Sequence, residues 1–384
     1  MALRKWLPGA LVLCMCLGLC GCAPTLQPEN QAFAMSMSVD FAEGSDMLEL
    51  GILVPTLSNA PDVSNHTGAP TDYERYFAVA ASFSAALNAL QISMPFTLNL
   101  SQLKTVIVSS ELAQTDAFRS LIEDMMLTNH LFTTAYLGVS VGPARGILEN
   151  SRPLVAGRLS VELDTAYEHY GQIGFVPLTR LGDMYYHMVS IYGEPFLMLI
   201  ATADEQLPRQ TMPNALMGAS LPGKLPIESS SKNQHLGSAV FREGRMVGVM
   251  DGASTRWARV LKGEVKNFSY RADGKALRIS LRNTPSIRVD ARTDAPIIEI
   301  SLSVLPIPQR AMPDYVILKT QIRAELEFML QHCRSLGVDP ILFGAKAAHQ
   351  FLTVNDFRAY RWLDKLKNAQ FRVNVDILEA YSLY

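Results

Sequence analysis

Cysteine is nearly absent from the body of the chain. Four of the five cysteines lie within the first 22 residues, which leaves Cys333 as the single thiol of the remaining sequence. A framework of internal disulfides is therefore excluded there. With 384 residues, the chain is long enough to bury a large core without such bridges, and its length suggests two or three domains.

Charged residues are also few, at 18% of the sequence, and the 34 Lys and Arg residues nearly balance the 36 Asp and Glu residues. Because no basic block stands out, a nucleic acid is not expected as a partner. Hydrophobic residues reach 48% and the mean hydropathy is +0.12. No segment after the amino terminus has roughly 18 consecutive apolar residues, so the apolar surplus belongs to cores or contact surfaces and not to a membrane span.

The common catalytic motifs are missing: the sequence has no His-Glu-x-x-His, Gly-x-Ser-x-Gly, Walker loop or Gly-x-Gly-x-x-Gly. His332 and Cys333 form the one adjacent pair that suggests a nucleophile, because an imidazole can lower the pKa of a thiol. Consecutive helical residues point about 100° apart, however, and Cys333 lies on the predicted apolar face. We therefore interpret Cys333 as a packing thiol and expect no catalytic residue, enzymatic activity, cofactor or metal.

Two other clusters allow two interpretations each. The three tyrosines and one histidine within residues 185–192 could stack on a ligand, but aromatic residues at this spacing usually belong to a core. Glu162, Asp164 and Glu168 could hold a metal ion or form a solvated helix face, and their spacing does not distinguish the two. Nothing in these clusters favours direct binding of a small molecule, and the ligand-binding residues are unknown.

The amino terminus has the pattern of an export signal. Arg4 and Lys5 precede LPGALVLCMCLGLCG, an apolar run of about 15 residues that matches the core of a signal peptide and is too short to span a bilayer. An ordinary secretory signal is one interpretation. A metal site built on the Cys-x-Cys pairs is disfavoured, because a structural zinc site needs four ligands on a folded backbone.

The end of this run, LCGC at residues 19–22, resembles the cleavage site of bacterial lipoproteins, with an aliphatic residue, a small residue and then cysteine. The resemblance implies that residues 1–21 form a lipoprotein signal peptide and that Cys22 carries a diacylglyceryl thioether. That lipid would hold the chain to the outer face of a bacterial membrane. Cleavage after Gly21 would leave 363 residues with a formal charge of −4.

Hydrophobic periodicity and turn-forming residues divide the mature chain. A proline-containing tether follows Cys22, and a stretch rich in proline, glycine and serine separates two patterned regions. We predict a lipidated cysteine and tether over 22–34, an amino-terminal α/β domain over 35–204 of one or two subdomains, a linker over 205–236, and a carboxy-terminal α+β domain over 237–384.

In the amino-terminal domain, a hairpin is predicted over 35–58 and a helix over about 72–91, capped by Thr71 or Asp72. Alternating strands and helices follow through residue 204, which indicates helices packed on a sheet. Residues 151–204 are predicted to contribute two helices and a final strand.

In the carboxy-terminal domain, we predict a hairpin over 238–251 and a helix capped by Ser254 or Thr255 that ends at Gly263. Three alternating stretches then predict antiparallel strands with one buried face. Helices are predicted over about 315–336 and about 355–368 and would cover that face. The fold class is therefore α+β, with a mixed α/β first region and a mostly antiparallel second sheet.

Three stretches resemble the lipoprotein C subunits of bacterial spore germinant receptors, the Ger(x)C or GerAC-like family. They are GSAVFREGRMVGVMDGASTRWARVLKGEV (237–265), VDPILFG (338–344) and YRWLDKLKNAQFRVNVDILEA (360–380). The likeness of the amino-terminal half is looser, in the lipoprotein signal and in TVIVSSELA (105–113). The chain departs from the family after the lipidation site, at PENQAFAM, and at its end, ILEAYSLY.

This resemblance implies a non-enzymatic subunit of a nutrient receptor in spore germination. The implied partners are the A and B membrane subunits of the receptor and, through Cys22, the lipid bilayer. The implied location is the outer face of the cell membrane, which is the inner membrane of the spore. A lipid-anchored solute-binding protein of a transporter is the alternative, and it would need a βαβ pattern in both halves.

Overall fold

The structure, a computed structural model, describes residues 30–55, 73–128, 133–151, 159–203, 220–225, 227 and 232–379. Within these ranges the chain forms two large β-sheets with helices packed against them. Helices cover both faces of a mixed first sheet and one face of a mostly antiparallel second sheet. The predicted α+β class is confirmed.

The first sheet has a parallel centre and antiparallel edges. Its eight strands lie in the order β10-β9-β8-β7-β6-β2-β3-β4, and β1 and β5 form a separate parallel pair. The central pairs β2-β6, β6-β7 and β7-β8 are parallel. The outer pairs β2-β3, β3-β4, β8-β9 and β9-β10 are antiparallel. The strands of this half are β1 (Gln31–Phe33), β2 (Ser36–Phe41), β3 (Leu48–Pro55), β4 (Tyr73–Ala80), β5 (Thr97–Asn99), β6 (Thr105–Ser109), β7 (Tyr136–Ser140), β8 (Phe196–Thr202), β9 (Asn233–Arg242) and β10 (Arg245–Met250).

Both faces of this sheet are buried under helices. Along β6, Val106 and Val108 point into the larger core and Ile107 points into the smaller core on the opposite face, as the period of two of a strand requires. The larger core is covered by α1 (Phe83–Ser93), α3 (Asp116–Leu127) and α6 (Leu181–Val189), and the smaller by α4 (Ala144–Asn150) and α5 (Leu159–Ile173). A short α2 (Ser110–Ala113) follows β6.

The second sheet buries one face only. Ile298, Ile300, Leu302 and Val304 alternate along its longest strand, and all four are buried in one core under the helices. The strands are β11 (Asn267–Ala272), β12 (Lys275–Leu281), β13 (Ser286–Asp290), β14 (Ile297–Pro308) and β15 (Gln370–Ile377), and the helices are α7 (Gly252–Leu261), α8 (Tyr315–Leu336), α9 (Phe343–Ala348), α10 (Val354–Tyr360) and α11 (Trp362–Leu366).

The predicted helix over 315–336 is confirmed as α8. The side chain of Asp314 accepts hydrogen bonds from the backbone N–H groups of Val316 (2.7 Å) and Ile317 (3.1 Å), which caps its first turn. Gly337, with φ of 68°, ends it in the left-handed conformation that glycine adopts without strain. Apolar residues at helical spacing face the second core, which is the pattern from which the helix was predicted.

The predicted helix over 72–91 is wrong in its first half. Residues 73–80 form β4, which pairs with β3 in antiparallel register over eight residues. The helix α1 begins only at Phe83, and its N-cap is Ser82, whose hydroxyl accepts from the backbone N–H of Ala85 at 3.3 Å, in place of Thr71 or Asp72. Apolar side chains on both faces of β4 produced a helical spacing, and strand pairing overrides it.

The hairpin predicted over 238–251 is confirmed, with Glu243 (φ 54°) and Gly244 (φ 79°) in its turn, but it belongs to the first sheet. β9 pairs with β8, so the sheet crosses the domain boundary expected at residue 237. The expected linker over 205–236 ends within β9, and the expected tether over 22–34 includes β1. Alternation identifies a strand but not its neighbour, so the sheet to which β9 belongs could not be predicted.

Three smaller differences concern the second half. β15 pairs with β14 in parallel, whereas its alternation had been interpreted as antiparallel. The helix expected over 355–368 is divided into α10 and α11 by Arg361, which has φ of 55°. The N-cap of α7 is Asp251 in place of Ser254 or Thr255, and Gly263 (φ 78°) follows its end as predicted.

Substitution in β9 tests its place in the first sheet. Phe241 is buried in the first core, where its ring stacks on Phe118 with centroids 5.0 Å apart. We expect Phe241→Ala to lower the free energy of unfolding by about 3–5 kcal/mol, since it removes a buried ring and leaves a cavity. Urea denaturation measures the loss, and hydrogen exchange in α3 and β8 should accelerate.

Val247→Ala is the matched control, because this side chain of β10 is 40% exposed. Its effect should stay below about 1 kcal/mol. Faster exchange confined to β11–β15 in the Phe241 variant would contradict the placement of the hairpin.

Candidate functional site

Along the chain, helix α7 follows β10, the last strand of the first sheet, and precedes β11, the first strand of the second sheet. Nine of its ten residues are buried. Two of these are arginines, Arg256 and Arg259, and buried charge needs compensation inside the protein. We use the word seam for α7 together with residues 190–194 and 338–344, which contact one another or the opposite half.

Arg256 is enclosed by aromatic rings from both halves. Its guanidinium carbon lies 4.8 Å from the ring centroid of Phe175, in the first half, and 4.6 and 5.6 Å from those of Phe268 and Tyr270, on β11. Nη1 donates to the backbone oxygen of Ser269 at 3.1 Å. Burial lowers its pKa to about 10, and the negative charge of Glu325 opposes this shift, so the side chain stays charged at neutral pH. The surrounding rings add cation–π contacts.

Arg259 reaches from α7 to the backbone of the first half. Its Nη1 donates to the carbonyl oxygens of Val176 (2.7 Å) and Tyr170 (3.3 Å), and its Nε donates to Glu264 Oε2 at 3.0 Å. Charge-assisted hydrogen bonds of this kind are among the stronger ones in proteins. Both arginines of α7 therefore hold the second half against the first.

The buried carboxylate of Asp339 organises the second part of the seam. Its oxygens accept hydrogen bonds from the backbone N–H groups of Phe343 (2.9 Å) and Gly344 (2.7 Å) and from Trp362 Nε1 (2.8 Å). These bonds fix the start of α9 and attach α11 to it. Burial nevertheless raises the pKa of Asp339 to about 6.

Glycines permit the close approach of the two halves here. A side chain at Gly344 would collide with the backbone oxygen of Tyr192, and one at Gly193 would lie 2.8 Å from the backbone oxygen of Asp339. The ring of Tyr192 packs on Phe357 of α10. The VDPILFG stretch thus meets residues 190–194 backbone to backbone.

The β9–β10 hairpin also contacts the second half. Arg242 Nη2 donates to Asp364 Oδ1 of α11 at 2.6 Å, and the nitrogen His332 Nε2 lies 2.9 Å from the backbone oxygen of Val249. A side chain at Gly248 would lie 2.7 Å from Leu336 of α8. The hairpin is therefore wedged between the first sheet and the helices of the second.

Glu194 lies at the rim of the seam and is 7% exposed. Oε1 accepts from the backbone N–H of Gly244 at 2.6 Å, whereas Oε2 has no hydrogen-bond partner among the described residues. Burial raises the pKa of this carboxyl to about 7. The adjacent recess, of about 290 Å³, is also lined by Arg119, Arg242 and Arg358. The group can exchange a proton near neutral pH.

Comparison with protein families accounts for both halves of the chain. The model described as "Spore germination protein N-terminal domain" matches residues 26–202, and the model described as "Spore germination B3/ GerAC like, C-terminal" matches residues 236–378. The chain belongs to the GerAC family of spore germination proteins. The germinant-receptor subunit family indicated by the three sequence stretches is confirmed.

A solved structure supports the same fold for this GerAC-family chain. The crystal structure of the GerBC protein superimposes with a TM-score of 0.53 at 11% sequence identity, covering 91% of this chain and 98% of that chain. At this identity the likeness concerns the fold alone. A search of curated proteins finds no match.

The residues singled out in the sequence are dispersed in the structure. Cys22 lies outside the described residues. Cys333 is buried, with its sulfur 3.7 Å from Met250 Sδ, and burial raises its pKa to about 12. His332 instead contacts the hairpin backbone, so the two side chains do not act on one another.

The other two clusters also separate. Tyr186 is 62% exposed and contacts His187, whereas Tyr192 packs across the seam. Asp164 pairs with Lys104 at 2.9 Å. Within the part of the chain that the structure describes, no group of three acidic, histidine or cysteine side chains is arranged to hold a metal ion, and no helix is long and apolar enough to cross a membrane.

Sequence reasoning missed the burial of the Arg256 guanidinium and of the Glu194 carboxyl. Arg256 belongs to the stretch STRWARVLKGE, but an arginine on an amphipathic helix is ordinarily solvated, so only its aromatic neighbours reveal its burial. Glu194 follows Gly193 in a short loop, and nothing in that segment indicates a buried carboxyl. The residues that could have pointed to the seam from the sequence were its glycines and the Asp339-Pro340 pair, because each marks a turn or a close backbone contact.

The raised pKa of Glu194 predicts a pH dependence of stability. Between pH 4.5 and 7 the folded state retains a proton that the unfolded state has released, so this group makes the free energy of unfolding fall as pH rises. We expect Glu194→Gln to remove this contribution, about 3 kcal/mol between pH 5 and 8. Urea unfolding of both chains across this range measures the difference.

Glu111→Gln is the control, since this exposed carboxyl lies on α2 and outside the recess. Its curve should run parallel to that of the unaltered chain. Parallel curves for Glu194→Gln as well would show that the carboxyl is not protonated in the folded state.

Burial of Cys333 predicts an inert thiol. In a chain whose four amino-terminal cysteines are replaced by Ala, we expect Cys333 to react with an aromatic disulfide reagent only at the rate of unfolding, because it is 4% exposed. Absorbance of the released thiolate, measured with and without urea, checks this. Rapid reaction of the folded chain would contradict the packing role.

Proposed function

We propose that this chain is the lipid-anchored C subunit of a nutrient germinant receptor in spore germination, acting in receptor assembly or signalling with two multi-span membrane subunits. The observation that carries the proposal is that the two GerAC-type family models match the first and second halves in order. The similarity in fold to the GerBC protein extends over 91% of this chain.

Attachment through Cys22 supplies the membrane contact in this proposal. A diacylglyceryl group has two acyl chains, and burial of each methylene contributes about 0.8 kcal/mol, which suffices for stable anchoring. Cys22 precedes Asn30, the first described residue, by eight positions. Fully extended, that length of chain reaches at most about 29 Å, so the first sheet would remain near the outer face of the membrane.

Residues of the GerAC-like stretches make structural contacts inside the protein, which agrees with a role in assembly or signalling and not in catalysis. Arg256 and Asp339 are both engaged in internal contacts across the seam or within it. Anchoring beside two membrane subunits would raise the effective concentration of the chain, so that a modest contact surface suffices for association. The location proposed is the outer face of the cell membrane that becomes the inner membrane of the spore.

Loss of the anchor should abolish the response to nutrients. We expect spores carrying Cys22→Ala to release dipicolinate on nutrient addition no faster than spores deleted for the gene, because an unlipidated chain leaves the membrane. Release triggered by a non-nutrient agent should be unchanged in both strains. Membrane fractionation of the variant chain locates the protein directly.

Cys20→Ala is the matched control, since it removes a thiol of the same segment that precedes the expected cleavage. It should germinate as the unaltered strain does. Normal nutrient response in the deletion strain, in a background with no second receptor for the same nutrients, would favour a solute-binding protein of a transporter.

A further inference from the structure

A second recess lies on the seam, where Arg256 of α7 contributes to its lining. It has a volume of about 410 Å³, between the end of α5 and the open face of β11 and β12. Phe175 and Phe268 form its apolar wall, and the former belongs to the first half and the latter to the second. Concave sites of this size between two halves of a chain are typical ligand sites.

The polar groups of this recess are almost all hydrogen-bond donors or amides, and none is acidic. Among the described residues that line it there is no Asp or Glu. The polar lining consists of Arg256, Arg278, Gln172, Asn267, Ser269 and Gln309. Two guanidinium groups without a carboxylate give the recess a positive charge.

Neither arginine forms an ion pair with a described residue, although the negative charge of Glu325 acts on Arg256 from a longer distance. Arg256 is 2% exposed, its Nε has no hydrogen-bond partner among the described residues, and no ion pair joins it to an acid there. Arg278, on β12, is exposed and likewise forms no ion pair with a described residue. Arg256 is thus a buried guanidinium with an unused N–H donor, and it lies beside a recess whose lining has no acid. A negatively charged ligand group would supply the missing hydrogen-bond acceptor.

We propose that this recess binds a small oxyanion ligand, one carrying a carboxylate or phosphate group, whose charge is recognised by Arg256 and Arg278. Guanidinium groups suit both anions because they offer paired N–H donors. Gln172 and Asn267 supply further donors from the two halves, and Phe175 contacts the apolar part of the ligand. This inference goes beyond the role in receptor assembly, and it differs from the sequence expectation that small molecules do not bind.

Binding at this position would couple the ligand to the seam. Phe175 also packs on the guanidinium of Arg256, so the ligand and the contact between the halves share a residue. A ligand that binds only the folded, joined halves raises the free energy of unfolding in proportion to the logarithm of its concentration. Binding is therefore measurable both directly and as a thermal shift.

The test is calorimetric titration of the full chain in detergent with sodium phosphate and, separately, sodium succinate. We expect saturable binding at one site for at least one of the two anions, accompanied by an upward thermal shift. Arg278→Gln should weaken this binding by about tenfold or more, as loss of a charge-assisted contact does. The exposed position of Arg278 makes this variant compatible with folding.

Arg288→Gln is the matched control, because Arg288 is an exposed arginine on β13, on the same open face but outside the recess. Its affinity should remain within about twofold of the unaltered chain. The proposal is overturned if neither anion saturates up to about 10 mM. It is equally overturned if both variants weaken binding to the same extent, since that would indicate nonspecific attraction of anions.

Discussion

The arrangement of the two halves depends on burying two charged side chains of one helix. α7 is enclosed on nearly all sides, and a guanidinium cannot be buried without compensation. Arg256 obtains it from rings on both sides, and Arg259 from carbonyl oxygens of the first half and from Glu264. These contacts exist only when the sheets meet in one orientation, so α7 determines how the halves are placed.

The stretches that resemble the GerAC family map onto this contact region. The hairpin and helix of residues 237–265 run from the first sheet through α7, and VDPILFG places a buried carboxylate and a glycine against residues 190–194. Their chemistry is that of turns, caps and close backbone contacts. In this chain such residues form the joint between the two halves.

An element could be predicted from the sequence where its capping residues and its hydrophobic periodicity lie within or beside the element itself. α8 has a capping aspartate, an apolar stripe and a terminal glycine, and its predicted bounds agree with the structure. β4 shows the limit, since its apolar residues have a helical spacing that only pairing with β3 resolves. The sheet to which β9 belongs and the direction of β15 depend on neighbours distant in sequence, which alternation does not encode.

The candidate site was less predictable than the fold for the same reason. Glu194 and Arg256 are recognisable only through their surroundings, because burial and missing partners are properties of the packed molecule. The glycines at 193 and 344 mark where backbones meet, but their partners, Asp339 and Tyr192, lie far away in the chain. The sequence indicates that these glycines lie in close contacts, and the structure shows which residues they contact.

The most direct test of this account is scanning calorimetry of the full chain. If α7 joins both sheets into one unit, the chain unfolds in a single transition whose calorimetric and van't Hoff enthalpies agree. Two resolved transitions, one for each sheet, would show that the halves fold independently. In that case the buried arginines would not hold the molecule together.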